Sequence, residues 1–356
     1  MNPQSLRLQQ LPSAHEMDIC HDAGYFPVVV SPRGQELLVV LRAGAGHVGV
    51  RGRLDTVRSP DGGATWLPPQ TLADSEADDR NPALGVTRQG TLVLAYQAVG
   101  SYDEQGRYDP LLNRIRTFVT RSHDAGQAWE PPQPLSFTAM DAHSPYGRII
   151  SLPTGVLLLP IYGSNLRATG PSVDHSYLLR SHDDGVTWQD AALIAENYNE
   201  TALLQLPNGD LLAALRSADA AQRLAVCRSS DAGRTWSMPQ PVTTDLEHPA
   251  DLHLLSNGWV LLVFGVRHAP LGVQALISRD YGQHWDARRL IIHDALPGPD
   301  LGYPSVAAVD GRVVIVYYSA PRHMWDKPDD HMGCVARALS FTELDLLRAC
   351  EDAQAD

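Results

Sequence analysis

The sequence predicts an all-β protein, a six-bladed β-propeller with one short C-terminal helix. Three observations carry that expectation. An eight-residue box recurs five times, a hairpin pattern recurs six times, and helical periodicity is nearly absent before the segment SFTELDLLRAC.

The boxes are SPDGGATW from Ser59, SHDAGQAW from Ser122, SHDDGVTW from Ser181, SSDAGRTW from Ser229 and SRDYGQHW from Ser278. All share Ser, Asp, Gly and Trp at fixed offsets. Successive aspartates (Asp61, Asp124, Asp183, Asp231, Asp280) are 63, 59, 48 and 49 residues apart, a spacing that suits one four-stranded sheet per repeat. Asp followed two residues later by Gly is turn chemistry. The carboxylate accepts from nearby backbone N–H groups, and Gly supplies a positive φ. The Trp that follows can pack between neighbouring sheets. A motif serving the same turn in every repeat is a structural staple, so these aspartates are not read as catalytic.

The second repeat has a Pro-like start, an apolar strand, a Gly turn and another apolar strand. Its copies are YFPVVVSPRGQELLVVLR, DRNPALGVTRQGTLVLAYQ, HSPYGRIISLPTGVLLLPIY, YNETALLQLPNGDLLAALR, EHPADLHLLSNGWVLLVFG and GYPSVAAVDGRVVIVYYS. Each reads as a β-hairpin. Six repeats closing radially leave few exposed strand edges. The last copy has no box after it. Its outer strands are expected from Cys334 to Leu339 and, closing the ring, from Leu6 to Leu11. Ser340 and Glu343 read as a capping box for the helix. No linker is visible, so residues 1–356 are expected to form a single domain, with RATGPSVDHS a loop inside the third blade.

The 28 Lys+Arg against 41 Asp+Glu give a net charge of −13, which argues against a general nucleic-acid or anionic-membrane surface. No apolar run approaches the ~20 residues that span a bilayer. The N-terminal MNPQSLRLQQLPSAHEMDIC has no apolar signal region, so a cytoplasmic protein is expected. Cys20, Cys227, Cys334 and Cys350 are scattered and expected to be reduced and structural. There is no HExxH, phosphate loop or dinucleotide fingerprint. DLH around His253 and DDHMG around His331 are weak metal signals, and no cofactor or metal is expected.

Innermost propeller strands line the axis, and their starts gather at one mouth. The residues before the Pro-like position are Phe26, Asn81, Ser144, Glu200, His248 and Tyr303. A purely structural ring would tend toward similar residues. This one mixes carboxylate, phenol, imidazole, amide and hydroxyl, which points to a grafted site. Arg42, Arg216 and Arg267 end second strands, and Asp79 and Arg80 adjoin Asn81. Arginines gathered at one mouth suit a carboxylate, which guanidinium binds in a bidentate way.

The five boxes resemble the Asp-boxes, or BNR repeats, of the sialidase (neuraminidase) superfamily, across nearly the whole chain. NETALLQLPNGDLLAALR resembles the sialidase segment that carries the catalytic Glu and a substrate-binding Arg, here Glu200 and Arg216. GYPSVAAVDGRVVIVYY resembles the segment that carries the catalytic Tyr, here Tyr303. The resemblance implies an exo-glycosidase that removes a terminal sialic acid. The chemistry is intelligible. A sialic acid bears a carboxylate on its anomeric carbon and would repel a carboxylate nucleophile, whereas a phenol approaches neutral. With an unperturbed pKa of ~10, the phenol needs an adjacent base. A Tyr nucleophile is a known departure from the two-carboxylate scheme.

Three places depart from the family pattern. Tyr25, Phe26 and Pro27 stand where sialidases carry Arg-Ile-Pro, with Arg42 or Arg53 as substitutes. The loop from Arg42 to Gly52 has no Asp or Glu for the acid/base role and offers His47, with Asp79 a more distant alternative. Arg267 lies eleven residues before Ser278, farther from the fifth box than the family's last Arg. Histidine is a competent general acid near neutral pH. The expectation is a sialidase-like exo-glycosidase acting on a glycan or small sugar, acidic sugars being favoured by the arginines, with Tyr303, Glu200 and His47 catalytic. Arg216, Arg267, Arg80, Asp79, Asn81, Arg42, Arg53 and His248 are the substrate-binding candidates. The alternatives are a polysaccharide lyase using Tyr303 with His47 or His248, and a glycan-binding propeller without catalysis.

Overall fold

The computed structural model describes residues 5–166, 173–321 and 332–352. His331 and part of the third-blade RATGPSVDHS stretch lie outside the described residues. The hairpin repeats form six separate sheets, each the blade of a propeller. Blade 1 runs outward through Tyr25–Val30, Leu37–Ala43, Arg53–Ser59 and Gln70–Ala73. Blade 2 uses Asp78–Val86, Leu92–Val99, Ile115–Ser122 and Gln133–Pro134. Blade 4 uses Tyr198–Gln205, Leu211–Ser217, Leu224–Ser229 and Gln240–Pro241. Blade 5 uses Glu247–Leu254, Val260–Val266, Gly272–Ser278 and Leu290–His293.

Blade 3 departs at the axis. Its inner edge is broken into Ala142–Pro145 and Ile150–Ser151, both paired with Leu157–Ser164, while Gly147–Arg148 between them pairs in parallel with blade 2 at Ala83 and Leu84. His175–Ser181 and Gln189–Glu196 complete it.

The ring closes differently from expectation. Blade 6 holds Asp300–Val309, Arg312–Ala320 and Val335–Thr342, and its outermost strand is His15–His21. Leu6–Arg7 instead adds in parallel to Leu290–Ile291 of blade 5. Leu8 and Leu11, three apart, suit a helical turn rather than a strand. A 3-10 turn over Leu8–Gln10 puts both into the core between blades 5 and 6, so closure falls to the next extended segment. The capping box also differs. The third strand of blade 6 runs through Thr342, and Ser340 within it accepts from Arg312 Nη2 at 2.9 Å. Thr342 caps the helix Glu343–Asp352, its Oγ1 accepting from Asp345 N at 3.4 Å, while Glu343 accepts from Ser256 N at 2.6 Å.

Each box is the expected turn. In the fourth, Asp231 accepts from Arg234 N at 3.0 Å, Thr235 N at 2.9 Å and Thr235 Oγ1 at 2.6 Å, while Gly233, at φ +80°, donates to Ser229 Oγ at 2.8 Å. These bonds, the Thr235 hydroxyl foremost, hold the Asp231 carboxyl far below the carboxylate range. The five box tryptophans pack against five of the six inter-blade cores: Trp66 between blades 6 and 1, Trp129 between 1 and 2, Trp188 between 2 and 3, Trp236 between 3 and 4, and Trp285 between 4 and 5. The sixth core, between blades 5 and 6, has no box. It is sealed by Leu346 and Cys350 of the helix with Leu8 and Leu11. All four cysteines are buried and free.

Candidate active site

The innermost strands share one local device. The ladder slips by a β-bulge between Tyr25 and Val28, Arg80 and Ala83, Tyr198 and Thr201, Glu247 and Ala250, and Gly302 and Ser305. Phe26, Asn81 and Tyr303 sit in these bulges with φ of +54°, +49° and +47°, each directly before a proline. Bulges re-aim side chains, and positive φ at residues other than Gly marks backbone held against its preference. The bulges of blades 2, 4 and 6 bring Asn81, Glu200 and Tyr303 to the axial mouth.

A cavity of about 310 Å³ opens there, lined among others by His47, Arg80, Asn81, Ser144, Tyr162, Glu200, Arg216 and Tyr303. At its base the Tyr303 hydroxyl donates to Glu200 Oε1 at 2.5 Å, and Arg216 Nη1 donates to Glu200 Oε2 at 2.8 Å. The Tyr303 phenol is pushed well above its ordinary range by burial first and by Glu200 next, with Arg216 and Arg267 opposing. It therefore rests protonated. Burial lowers the Arg216 guanidinium, but Glu200 and Tyr303 outweigh it and keep it charged. Asn81 Nδ2 donates to Ser144 Oγ at 2.9 Å and to the Tyr162 hydroxyl at 3.3 Å. Tyr162 is the cross-strand partner of Ser144.

His47 enters from the blade 1 loop. Its Nδ1 lies 2.8 Å from Asp300 Oδ1, and its ring packs edge-on at 4.7 Å from Phe26 and 6.2 Å from Tyr303. Burial pushes the imidazole below its ordinary value despite Asp300, with Arg80 and Arg267 adding to the effect, so it is neutral at pH 7.

Floor residues close the axis below. Arg148 Nε and Nη2 donate to Asp251 Oδ1 at 3.2 and 3.0 Å, and Nη1 donates to Val306 O at 3.1 Å. Tyr146 donates to Ala250 O at 2.8 Å, and the void between this floor and Tyr303 is only about 20 Å³. The cavity is blind.

Not every residue singled out in the sequence reaches the cavity. Arg42 is fully buried and bonds Asp78 Oδ1 through Nε at 3.1 Å and Nη2 at 2.6 Å, and its Nη1 donates to Ala45 O at 3.3 Å. Arg53 forks onto Asp55 at 2.9 and 3.1 Å, two residues along its own strand. Asp79 accepts from Ser75 N at 2.7 Å and Ser75 Oγ at 2.9 Å. None of these three lines the cavity. His248 is buried with both ring nitrogens unpartnered, and burial with Arg216 and Arg267 nearby drives it far below its ordinary value. Arg267 lies behind the nucleophile candidate, its guanidinium 5.6 Å over the Tyr303 ring and its Nη2 donating to Leu301 O at 2.9 Å. Arg80 lines the cavity, sits 5.5 Å over Phe26 and is 3.5 Å from Asp78 Oδ2.

Asp300, Tyr318, Tyr162 and the Arg148–Asp251 floor were missed. Asp300 had one signal, a carboxylate opening the otherwise apolar strand DLGYPSVAAV. No metal-holding cluster of His, Cys, Asp or Glu occurs among the described residues, His253 included.

Fold and site together define a six-bladed propeller with a phenol–carboxylate pair in a blind axial mouth. Residues 41–315 match the BNR repeat-like domain, and the chain belongs to that family. No curated protein matches it. Among solved structures it is similar to a Dyadobacter fermentans protein of unknown function, at 23% identity and TM-score 0.77, with 93% of this chain and 100% of that one covered. A Hadza microbial sialidase is similar at 19% identity and TM-score 0.69, covering 91% and 68%. The Trypanosoma rangeli sialidase is similar at 16% identity and TM-score 0.68, covering 95% and 61%. At these identities the likeness is one of fold.

Proposed function

We propose that this protein is a sialidase-like exo-glycosidase that hydrolyses a terminal acidic sugar with a tyrosine nucleophile. The observation that carries the reading is the 2.5 Å bond from the Tyr303 hydroxyl to Glu200. Glu200 takes the phenolic proton as the Tyr303 oxygen bonds to the anomeric carbon, and the glycosidic C–O bond breaks as the minor, doubly protonated form of His47 gives its Nε2 proton to the departing oxygen and becomes neutral. Water then attacks the anomeric carbon, giving a proton to His47. The bond to Tyr303 breaks, and Glu200 returns its proton to the phenolate. Arg216 and Arg80, both lining the cavity, supply cationic donors for a substrate carboxylate. A blind cavity supports exo action, because a chain end can enter and a chain interior cannot pass through.

The test is a screen of aryl glycosides that includes sialic acid and other 2-keto sugar acids. Tyr303→Phe and Glu200→Gln, which keep the shape of each side chain, should each lower hydrolysis by about 100-fold or more while melting stays close to wild type. Retained activity in either removes the role assigned to it. The His47–Asp300 pair favours a second reading. A neutral imidazole held at Nδ1 is also a base for removing a proton beside a uronate carboxylate, as a polysaccharide lyase requires. Near-ultraviolet absorbance from an unsaturated uronate separates the two.

A further inference from the structure

We propose that Asp300 is a positioning residue that holds His47 as its Nδ1–H tautomer, so that Nε2 is the atom exchanging protons with the substrate. The proposal rests on the glycosidase reading of the cavity and deepens it. His47 sits in GAGHVGVRG, a loop whose glycines fix a ring poorly on their own. What fixes it comes from elsewhere in the chain. Asp300 opens the innermost strand of blade 6, 253 residues away, and its Oδ1 receives both His47 Nδ1 at 2.8 Å and the Tyr318 hydroxyl at 2.5 Å. Asp300 is 2% exposed and His47 7%. Rings of Tyr25, Phe26 and Tyr303 pack at 6.1, 4.7 and 6.2 Å and limit rotation.

The charged groups acting on His47 are Asp300, Arg80 and Arg267. Burial pushes the Asp300 carboxyl up, but His47, Arg267 and the Tyr318 hydroxyl outweigh it and keep it ionised. An ionised carboxylate accepts only, and the Tyr318 hydroxyl, 3.3 Å from Nδ1, gives its own proton to Asp300 at 2.5 Å, so Nδ1 carries the proton and Nε2, which has no partner among the described residues, is left to the cavity that His47 lines. Asp300 also favours the imidazolium, whereas both arginines oppose it. Removing its charge must therefore move the His47 ionisation to lower pH.

The test uses the full chain labelled with ¹⁵N-histidine, His47 being assigned by the signal lost in His47→Gln. Wild type should show the neutral Nδ1–H pattern at pH 7. Asp300→Asn should lower the His47 midpoint by about one pH unit or more and mix the tautomers. Tyr318→Phe, which leaves both partners in place, should keep the tautomer. In parallel, the alkaline limb of hydrolysis of an unactivated alkyl glycoside should move down by the same amount in Asp300→Asn. An Asp300→Asn protein whose His47 tautomer and titration match wild type overturns the proposal. So does one whose titration moves while its pH–rate profile does not. Absence of hydrolysis by wild type overturns the glycosidase reading instead, and the spectra still decide the Asp300–His47 arrangement.

Discussion

Two arginines of similar sequence context show how burial and partners divide roles. Arg42 and Arg216 each end the second strand of a blade, and the apolar run before them is nearly the same. Arg42 meets Asp78 across the blade 1–2 junction and is sealed at 0% exposure, whereas Arg216 meets Glu200 at the cavity. Sequence spacing does not reveal which acid a long side chain will meet. Arg42→Ala should therefore act on stability, because it takes the forked partner from buried Asp78 Oδ1 and leaves that carboxylate only Arg80 at 3.5 Å and the Tyr102 hydroxyl at 2.5 Å, both on Oδ2. A loss of about 3–5 kcal/mol by chemical denaturation is expected. Arg216→Ala should act on turnover, since it removes the guanidinium that holds Glu200 at 2.8 Å and, on the proposed reading, a donor to the substrate. A stable Arg42→Ala with impaired catalysis would reverse that division. Phe26 is a second instance. The sequence resemblance expects an arginine there, and Phe26 instead packs 4.8 Å from the Tyr303 ring and carries Arg80 over its face. The arginines that line the mouth, Arg80 and Arg216, come from the second and fourth blades rather than the first.

Elements were legible where the pattern was local. The Asp-turn-Gly-Trp boxes and the Pro-started hairpins fix the turn, strand pair and packing anchor within about twenty residues of one another, so the blades could be read directly. Three features escaped, two because they depend on pairings far apart in sequence and the third, the helix cap, because the preceding strand runs on through Thr342 and displaces the cap from Ser340. The closing strand His15–His21 pairs with Val335–Ser340, the helix takes its cap from Thr342, and blade 3 lends Gly147–Arg148 to blade 2. The helix has a specific task, since it covers the one inter-blade core that lacks a box tryptophan. Leu346, fully buried there, should cost about 2–5 kcal/mol when changed to alanine, measured by urea denaturation. An effect under about 0.5 kcal/mol would show that the helix is an ornament on a ring already closed.

At the scale of the whole molecule, a repeated scaffold carries a site that is not repeated. Every innermost strand but that of blade 3 bulges at the equivalent point, and each bulge presents a different side chain. The ring of candidate residues was visible in the sequence for that reason. What the bulges do not specify is which of those side chains reach the mouth, and His248 is buried behind it. The Arg148–Asp251 floor gives a further expectation for the whole molecule. A substrate whose terminal sugar is blocked by a bulky group should not be cut, and chromatography of digests should show a single released monosaccharide with no internal fragments. Internal fragments would contradict exo action.

The central claim is that the Tyr303 oxygen forms the bond to the sugar. The direct measurement is trapping with an activated fluoro analogue of whichever sugar wild type releases, followed by intact mass and peptide mapping. The expected result is one added glycosyl mass, located on Tyr303 and absent from Tyr303→Phe. A label on any other residue, or equal labelling of Tyr303→Phe, would contradict the account.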